Sequence, residues 1–207
     1  MATQSNPNES REQPTGQSTT WLRSLYTSAG ALLMLCTIFM VGCDSGTSQN
    51  SAPVDPSKIE KGDWELIEFS SQEDSNDKLA KYIIDGDTDT YWHSQFDPER
   101  VNHPQFFEVD MKEQHNVTAF EFVHREAGNR GGNTRVQDIE LQMSNDGESW
   151  ETLGEYTLED TRDPQMVELD NPESFQYFKI ITNSSHGNYG DEETLATLAE
   201  VSAFEQP

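Results

Sequence analysis

The sequence contains few cysteines, few basic residues and no long apolar run, and each shortage excludes a class of protein. Its 207 residues include only two cysteines, Cys36 and Cys43, so no disulfide can cross-link the part of the chain that follows them. Thirteen lysines and arginines stand against 38 acidic residues, a net charge of −25, and the absence of a basic run argues against nucleic acid as a partner. The longest apolar run, 29–41, has 13 residues, fewer than the roughly 18–20 that span a bilayer.

The N-terminal segment resembles that of a bacterial lipoprotein. The apolar run ends in Met40-Val41-Gly42-Cys43, which is similar to a lipobox, where the cysteine sulfur is acylated and the preceding peptide is removed. We therefore expect residues 1–43 to be a signal peptide and Cys43 to carry a lipid. An uncleaved membrane anchor that begins near Leu22 is the alternative. Both alternatives place the rest of the chain outside the cytoplasm, tethered to a bacterial membrane at the outer membrane or cell surface.

The remainder of the chain divides into a linker and one folded domain. Residues 44–58 read DSGTSQNSAPVDPSK, a polar composition rich in Ser and Pro that is typical of a flexible linker. Residues 59–207 are long enough for one domain, and the 10 Phe, 4 Trp and 6 Tyr of the chain supply side chains for a core.

Short segments with apolar residues at near period two predict an all-β domain. Asn145-Asp146-Gly147 predicts a hairpin turn, because these residues tolerate positive φ, and the one helical indication is short, near 78–83. Eight short antiparallel strands without internal repeats favour a jelly-roll β-sandwich. The eight predicted strands are Trp64–Ser70, Phe106–Asp110, Val117–Val123, Gln137–Ser144, Trp150–Tyr156, Met166–Leu169, Tyr177–Asn183 and Leu198–Phe204.

The first long loop concentrates negative charge in five residues. Asp85, Asp87 and Asp89 repel one another unless water or a hard cation screens them. An EF-hand is excluded, because its positions six and twelve fall on Thr90 and Phe96 instead of Gly and Glu. The local sequence leaves two interpretations open, a calcium loop and an acidic surface turn.

Five separated motifs resemble the discoidin, or coagulation factor V/VIII type C, domain. In chain order they are IIDGDTDTYWHSQF, HPQFFEVDM, VQDIELQMSNDGESW, YFKIITNSSHGN and AEVSAF. The resemblance as a whole covers Trp64 to about Glu205. The resemblance is strongest to bacterial galactose-binding-like carbohydrate-binding modules of family thirty-two. It implies an eight-stranded jelly roll independently of the strand pattern.

The resemblance also implies a structural calcium ion held by oxygen ligands, which suit a hard cation. Such a site would tie the first long loop to the last strand, and nothing in the sequence suggests an open position facing a substrate, so we expect the metal to be structural and not catalytic. The implied ligands are side-chain oxygens of Asp85, Asp87 and Glu200, the hydroxyl and carbonyl of Thr90, and the backbone carbonyls of Tyr82 and Ala199.

A sugar site is implied by the same resemblance. Its residues would be His93, Arg125, Asn133 and the aromatic Tyr189; Asn129 competes with Asn133, because Gly131-Gly132 lengthens the interval after the arginine. A guanidinium, an amide and a neutral imidazole match the paired donors and acceptors of sugar hydroxyls.

Each of these assignments has a structural alternative. His93 would then be a core-edge histidine bonded to backbone, Arg125 would offset neighbouring carboxylates, and Tyr189 would be an ordinary loop aromatic.

The expected function is non-catalytic binding of glycans, by default galactose-type sugars, by a calcium-stabilised, lipid-anchored module. The sequence contains no nucleophile motif or phosphate loop and no pair of histidines at zinc-site spacing, so nothing in it indicates an enzyme. Two alternatives stay open: an adhesion or assembly module that contacts a protein partner, and a subunit that presents substrate to a separate surface enzyme.

Overall fold

Alternating apolar and polar residues build an antiparallel β-structure along the described part of the chain. The structure is a computed structural model that describes residues 56–126, 134–187 and 194–206. The chain forms two short 3₁₀ helices, Asp74–Asn76 and Ala80–Ile84, between its second and third strands. The strands are β1 (Ser57–Lys58), β2 (Glu65–Phe69), β3 (Trp92–His93), β4 (Gln105–Val123), β5 (Asp138–Ser144), β6 (Glu151–Thr157), β7 (Gln165–Thr182), β8 (Thr197–Leu198) and β9 (Glu200–Glu205).

Seven of these strands form one sheet that folds over itself. The order is β1-β9-β4-β7-β5-β6, with β2 paired to β4. β4 pairs with β2 through residues 107–110 and with β9 through residues 117–123, and a register shift separates Asp110 from His115. β4 and β7 therefore contribute to both layers of an antiparallel sandwich, which confirms the predicted all-β class and sandwich architecture.

The core lies between the two layers and is rich in aromatic side chains. Phe178 makes edge-on contacts with Phe120 at 5.2 Å and with Trp64 at 5.5 Å between ring centroids, a favoured arrangement for aromatic pairs. Trp92 contacts Phe107 in the same way at 4.6 Å. The largest fully buried side chains are Trp92, Phe107, Phe120, Phe122, Phe175, Phe178, Ile83, Ile139, Leu141, Leu158, Ile180 and Leu198.

The predicted strands differ from the observed ones in connection more than in position. Two predicted pairs of strands join into the long β4 and β7, and the last predicted strand divides into β8 and β9. The hairpin at Asn145-Asp146-Gly147 is confirmed, since β5 pairs with β6 and Gly147 has a φ of +72°. The helical indication near 78–83 corresponds to the second 3₁₀ helix.

β3 and β8 form a separate two-stranded sheet at one end of the sandwich. Trp92 pairs with Leu198, and His93 pairs with Thr197. Because β4 bends back on itself, both of its termini lie at this end. The last residues of β6 and β7 and the first residues of β5 lie there as well. Loops from across the sequence therefore meet there.

The proposed membrane anchor lies outside the described residues. Cys43 and the apolar run before it fall in the part that the structure does not describe, so the signal peptide stays a prediction. Ser57–Lys58, the last residues of the predicted linker, form β1 and pair with β9. Within residues 56–126, 134–187 and 194–206, no helix has the length and apolar character of a membrane span.

Candidate functional site

The pairing of β3 with β8 brings the predicted His93 and Arg125 together. Successive side chains of a strand point to opposite faces, so the complete burial of Trp92 turns His93 away from the core, opposite Thr197. Arg125 lies two residues beyond the end of β4. Its Nε donates to the Thr197 hydroxyl at 3.3 Å, which places the guanidinium beside the β3–β8 pair.

Two threonine hydroxyls hold the guanidinium. An Nη of Arg125 donates to the Thr134 hydroxyl at 3.4 Å, and the two threonine hydroxyls lie 3.2 Å apart. Both threonines are buried. In the described part of the chain Arg125 forms no ion pair, so the interpretation that it offsets nearby carboxylates finds no contact to support it.

Tyr91 carries two cations against its ring. The Arg125 guanidinium carbon lies 5.0 Å from the ring centroid, and the Lys78 ammonium lies 4.2 Å from it, both within cation–π range. Neither Tyr91 nor Lys78 is predicted as a site residue from the sequence, although Tyr91 directly precedes the Trp-His pair of the first motif. We call His93, Arg125, Thr134, Thr197 and Tyr91 the Arg125 site.

His93 is held as a neutral imidazole with a defined tautomer. Its Nδ1–H donates to the Ser94 carbonyl at 2.7 Å, which leaves Nε2 as an acceptor. Burial lowers the pKa of His93, and the positive charge of Arg125 lowers it further, although the bond to Ser94 opposes both effects. The bond to backbone matches the structural alternative for His93, but no described residue occupies the lone pair on Nε2.

Phe96 places an apolar surface beside this imidazole. The two ring centroids are 4.9 Å apart in an edge-on contact, and Phe96 is 37% exposed. The aromatic residue predicted for the site from the sequence is Tyr189. Tyr189, Asn133 and the competing Asn129 lie outside the described residues, so those three assignments stay predictions.

A buried carboxylate fixes the backbone that follows His93. Glu73 is fully buried and accepts the backbone N–H groups of Phe96 at 2.8 Å and Asp97 at 3.0 Å. Burial alone would raise the pKa of Glu73, but bonds from Ser75 and from these amides outweigh it and lower the pKa to about 2. Nothing in the sequence pattern distinguished Glu73 from its many acidic neighbours.

The acidic loop folds into a tight turn. The Thr90 hydroxyl lies 2.8 Å from a carboxylate oxygen of Asp85 and 2.9 Å from the Asp87 carbonyl, and its single proton is shared between these two acceptors. The Asp85 and Asp87 carboxylates accept the N–H groups of Asp87 and Asp89, each at 2.9 Å. These bonds bring Asp85, Asp87 and Thr90, three of the residues implied to hold calcium, into one turn.

Glu200 joins the acidic loop to β9. It is 3% exposed, accepts the Gly86 N–H at 2.9 Å and binds the Lys61 ammonium, which also donates to the Val201 carbonyl at 3.0 Å. Burial raises the pKa of Glu200, Lys61 opposes this, and the nearby Asp85 adds to it.

The oxygen atoms of this corner are of the kind that binds a hard cation, but the described carboxylates are not grouped around one position. Among the described residues, no three His, Cys, Asp or Glu side chains are grouped as a metal site. The carbonyls of Tyr82 and Ala199 come from the second 3₁₀ helix and from the residue between β8 and β9. Calcium therefore stays a prediction.

Most of the folded part of the chain matches the sequence model of a known domain family. The sequence model of the F5/8 type C domain family matches residues 67–195, more than half of the chain. A sialidase from Micromonospora viridifaciens is 21% identical over 109 residues, 52% of this chain but 16% of the sialidase. The chain thus corresponds to a small part of that relative.

Solved structures with similar folds include carbohydrate-binding modules. The C-terminal domain of a chitobiase from Bacteroides fragilis has a TM-score of 0.63 and 24% identity, over 72% of this chain and 98% of that one. The family 32 module of NanJ from Clostridium perfringens, in complex with galactose, has a TM-score of 0.61 and 22% identity, over 73% and 100%. A second module from that organism, CBM32-5, in complex with GalNAc-β-1,3-galactose, has a TM-score of 0.61 and 23% identity, over 72% and 99%.

Glu73 predicts an acid-sensitive contribution to stability. A carboxylate whose folded pKa is lowered stabilises the fold above its unfolded value of 4.5 and loses that effect as pH falls toward about 2. Glu73→Gln should therefore lower the free energy of unfolding most at pH 5–7, and the difference from wild type should shrink at pH 3. Urea unfolding followed by tryptophan fluorescence measures it.

Glu68→Gln on the exposed part of β2 is the control, and its unfolding free energy should follow wild type at each pH. A difference between Glu73→Gln and wild type that stays constant from pH 7 to pH 3 would contradict this role of the Glu73 carboxylate.

Proposed function

Because this chain belongs to the F5/8 type C domain family, we propose that it is a non-catalytic carbohydrate-binding module that recognises glycans ending in galactose-type sugars. The observation that carries the proposal is the Arg125 site, in which a guanidinium adjoins a neutral imidazole, and the other described residues leave N–H donors of the first and an acceptor of the second without a partner. Galactose and GalNAc-β-1,3-galactose are the ligands named for two structures of similar fold.

Two adjacent hydroxyls of one sugar fit the groups that this site leaves available. An arginine has five N–H donors, and those described here as bonded to threonines are on Nε and one Nη of Arg125. The remaining N–H groups can donate to hydroxyl oxygens, while Nε2 of His93 accepts a hydroxyl proton. Binding of this kind forms and breaks no covalent bond, so the site requires no nucleophile or acid–base pair.

The threonines and Tyr91 prepare the guanidinium for binding. A long side chain loses rotamer freedom when it is fixed, which costs about 1.5–2 kcal/mol for arginine. Thr134, Thr197 and the Tyr91 ring already hold Arg125, so that cost does not fall on the sugar. Phe96 supplies an exposed apolar surface against which the C–H face of a pyranose can pack.

Carbohydrate binding through the Arg125 site is tested by substitution at its centre. Arg125→Ala should weaken binding to terminal galactosides about 10- to 100-fold, the range for one charge-assisted hydrogen bond. Arg125→Lys keeps the charge without the planar fork and should also bind poorly. A glycan array followed by calorimetry with galactose measures both.

The matched control is Lys112→Ala, a cation at the bend of β4 that pairs with Glu65 and Asp110. It should bind galactosides like wild type. Folded wild-type protein that binds no glycan on the array would contradict the proposal and direct attention to a protein partner. Equal binding by Arg125→Ala would place the sugar elsewhere.

We also propose that calcium binds at the acidic loop and stabilises the fold. Asp85, Asp87, Thr90 and Glu200, with the carbonyls of Tyr82 and Ala199, would hold it, and the ion would supply positive charge to a corner where burial and the nearby charge of Asp85 both raise the pKa of Glu200. The support is that the acidic turn and Glu200 meet at Gly86.

Calcium binding predicts a metal-dependent melt. A ligand at 100 times its Kd that binds only the folded state stabilises it by about 2.7 kcal/mol, so chelator should lower the Tm of wild type. Asp87→Asn should lose most of this response, whereas Asp170→Asn, an exposed residue of β7, should keep it. Identical wild-type melts in calcium and in chelator would exclude the metal.

The membrane anchor is a separate proposal that rests on the sequence alone. Cys43 follows an apolar run of lipoprotein type, and acylation there would hold the domain outside the cytoplasm at a bacterial membrane. Cells that express the protein with a labelled fatty acid should incorporate label into wild type and not into Cys43→Ser. Label in both would contradict acylation at Cys43.

A further inference from the structure

A second concave region lies beside the Arg125 site and takes no part in the function proposed above. It is a polar cleft of about 720 Å³ at the same end of the sandwich, between the segment before β4, the start of β5 and the segment after β7. We call it the amide cleft. Its lining includes the polar side chains of Asn102, His103, Gln137, Asp138, Asn183 and His186.

Three carboxamides give the amide cleft unused hydrogen-bonding capacity. The side chains of Asn102, Gln137 and Asn183 form no hydrogen bond with other described residues, although all three line the cleft. Each carboxamide has two N–H donors and one carbonyl acceptor. Paired donors and acceptors of this kind match hydroxyl groups, which both donate and accept.

Two imidazoles line the same cleft, and His186 is the one whose free nitrogen can serve a ligand. His186 donates from Nε2 to the Leu158 carbonyl at 2.9 Å, and His103 donates from Nδ1 to the Thr182 carbonyl at 2.9 Å. Nδ1 of a neutral His186 ring is then an acceptor. Nε2 of His103 is buried and has no hydrogen-bond partner among the described residues, so the ring of His103 forms part of the wall of the cleft and offers no acceptor to it.

The charges at the cleft select against an acidic ligand. The Asp138 carboxylate accepts the Ser184 hydroxyl at 2.6 Å and the Thr157 hydroxyl at 2.8 Å, so it is stabilised as an anion. Asp160 pairs with Arg135 at 2.7 Å. With two carboxylates at its wall, of which one is neutralised, the cleft repels uronic or sialic acid residues and accepts neutral sugars.

The amide cleft and the Arg125 site flank one backbone segment. Arg135 forms a β-bridge with Thr197 on one side of this segment, and Val136 forms a β-bridge with Ser185 on the other. The backbone N–H of His186 also donates to the Arg135 carbonyl at 2.9 Å. Neighbouring extended segments lie about 4.8 Å apart, so Thr197 and Ser185 are separated by about 10 Å. A short run of linked pyranoses can span that interval.

We propose that the amide cleft is a second subsite, which binds a neutral saccharide residue further along the glycan whose terminal sugar occupies the Arg125 site. This inference rests on the proposed function. It predicts that the protein distinguishes a chain of several neutral sugars from a single terminal sugar.

The test compares galactose with a panel of neutral tetrasaccharides that end in galactose, using the full chain. Wild type should bind at least one tetrasaccharide about tenfold more tightly than galactose, the gain from two neutral hydrogen bonds. The double variant Gln137→Ala/Asn183→Ala should bind that tetrasaccharide only as tightly as galactose, with galactose affinity unchanged. Gln114→Ala/Asn145→Ala, an amide pair at the opposite end of the sandwich, should behave as wild type.

The outcomes separate this inference from the proposed function. Wild type that binds galactose but gains nothing from any tetrasaccharide overturns the subsite alone, as does a double variant that keeps the gain. Wild type that binds neither galactose nor a tetrasaccharide overturns both proposals. The two substituted side chains make no described hydrogen bonds, so a lowered Tm of the double variant would also contradict this account of their role.

Discussion

The two-residue pairing of β3 with β8 is the constraint on which the rest of the site depends. Trp92 and Leu198 both face the core and are fully buried, so the paired His93 and Thr197 must face away from it. The core therefore sets the orientation of the site. Arg125 then reaches Thr197 from the end of β4, and Glu73 fixes the backbone that follows His93. One face of this pair of short strands therefore belongs to the core, and the opposite face carries the polar site.

The site is positive in a chain that is strongly negative. Arg125 and Lys78 share the ring of Tyr91, while the chain carries a net charge of −25. Among the described residues, the cation–π contact and the threonine hydroxyls hold Arg125 without a carboxylate, so no described ion pair occupies its remaining N–H donors. The general acidity repels anionic ligands at long range, which agrees with the neutral sugars proposed for this end.

Much of the fold follows from the sequence pattern, because alternation and turn residues act locally. Ile139, Leu141 and the Asn145-Asp146-Gly147 turn predicted β5 and its hairpin correctly. The continuity of β4 and β7 did not follow, since a bend at a register shift looks like a break in the apolar pattern. His93 and Arg125 came from the family motifs. The roles of Glu73, Thr134 and Thr197 required tertiary contacts, because Glu73 is one of 38 acidic residues and the threonines meet only when distant segments pair.

The proposed function requires a sugar to bind where β3, β8 and the end of β4 meet. A two-dimensional amide NMR titration of the protein with galactose tests this binding at each residue. We expect saturable shifts centred on His93, the Arg125 backbone, Thr134 and Thr197, with little change at the opposite end around Lys112 and Asn145. Saturable shifts confined to another surface, or none at high galactose concentration, would contradict the proposed function.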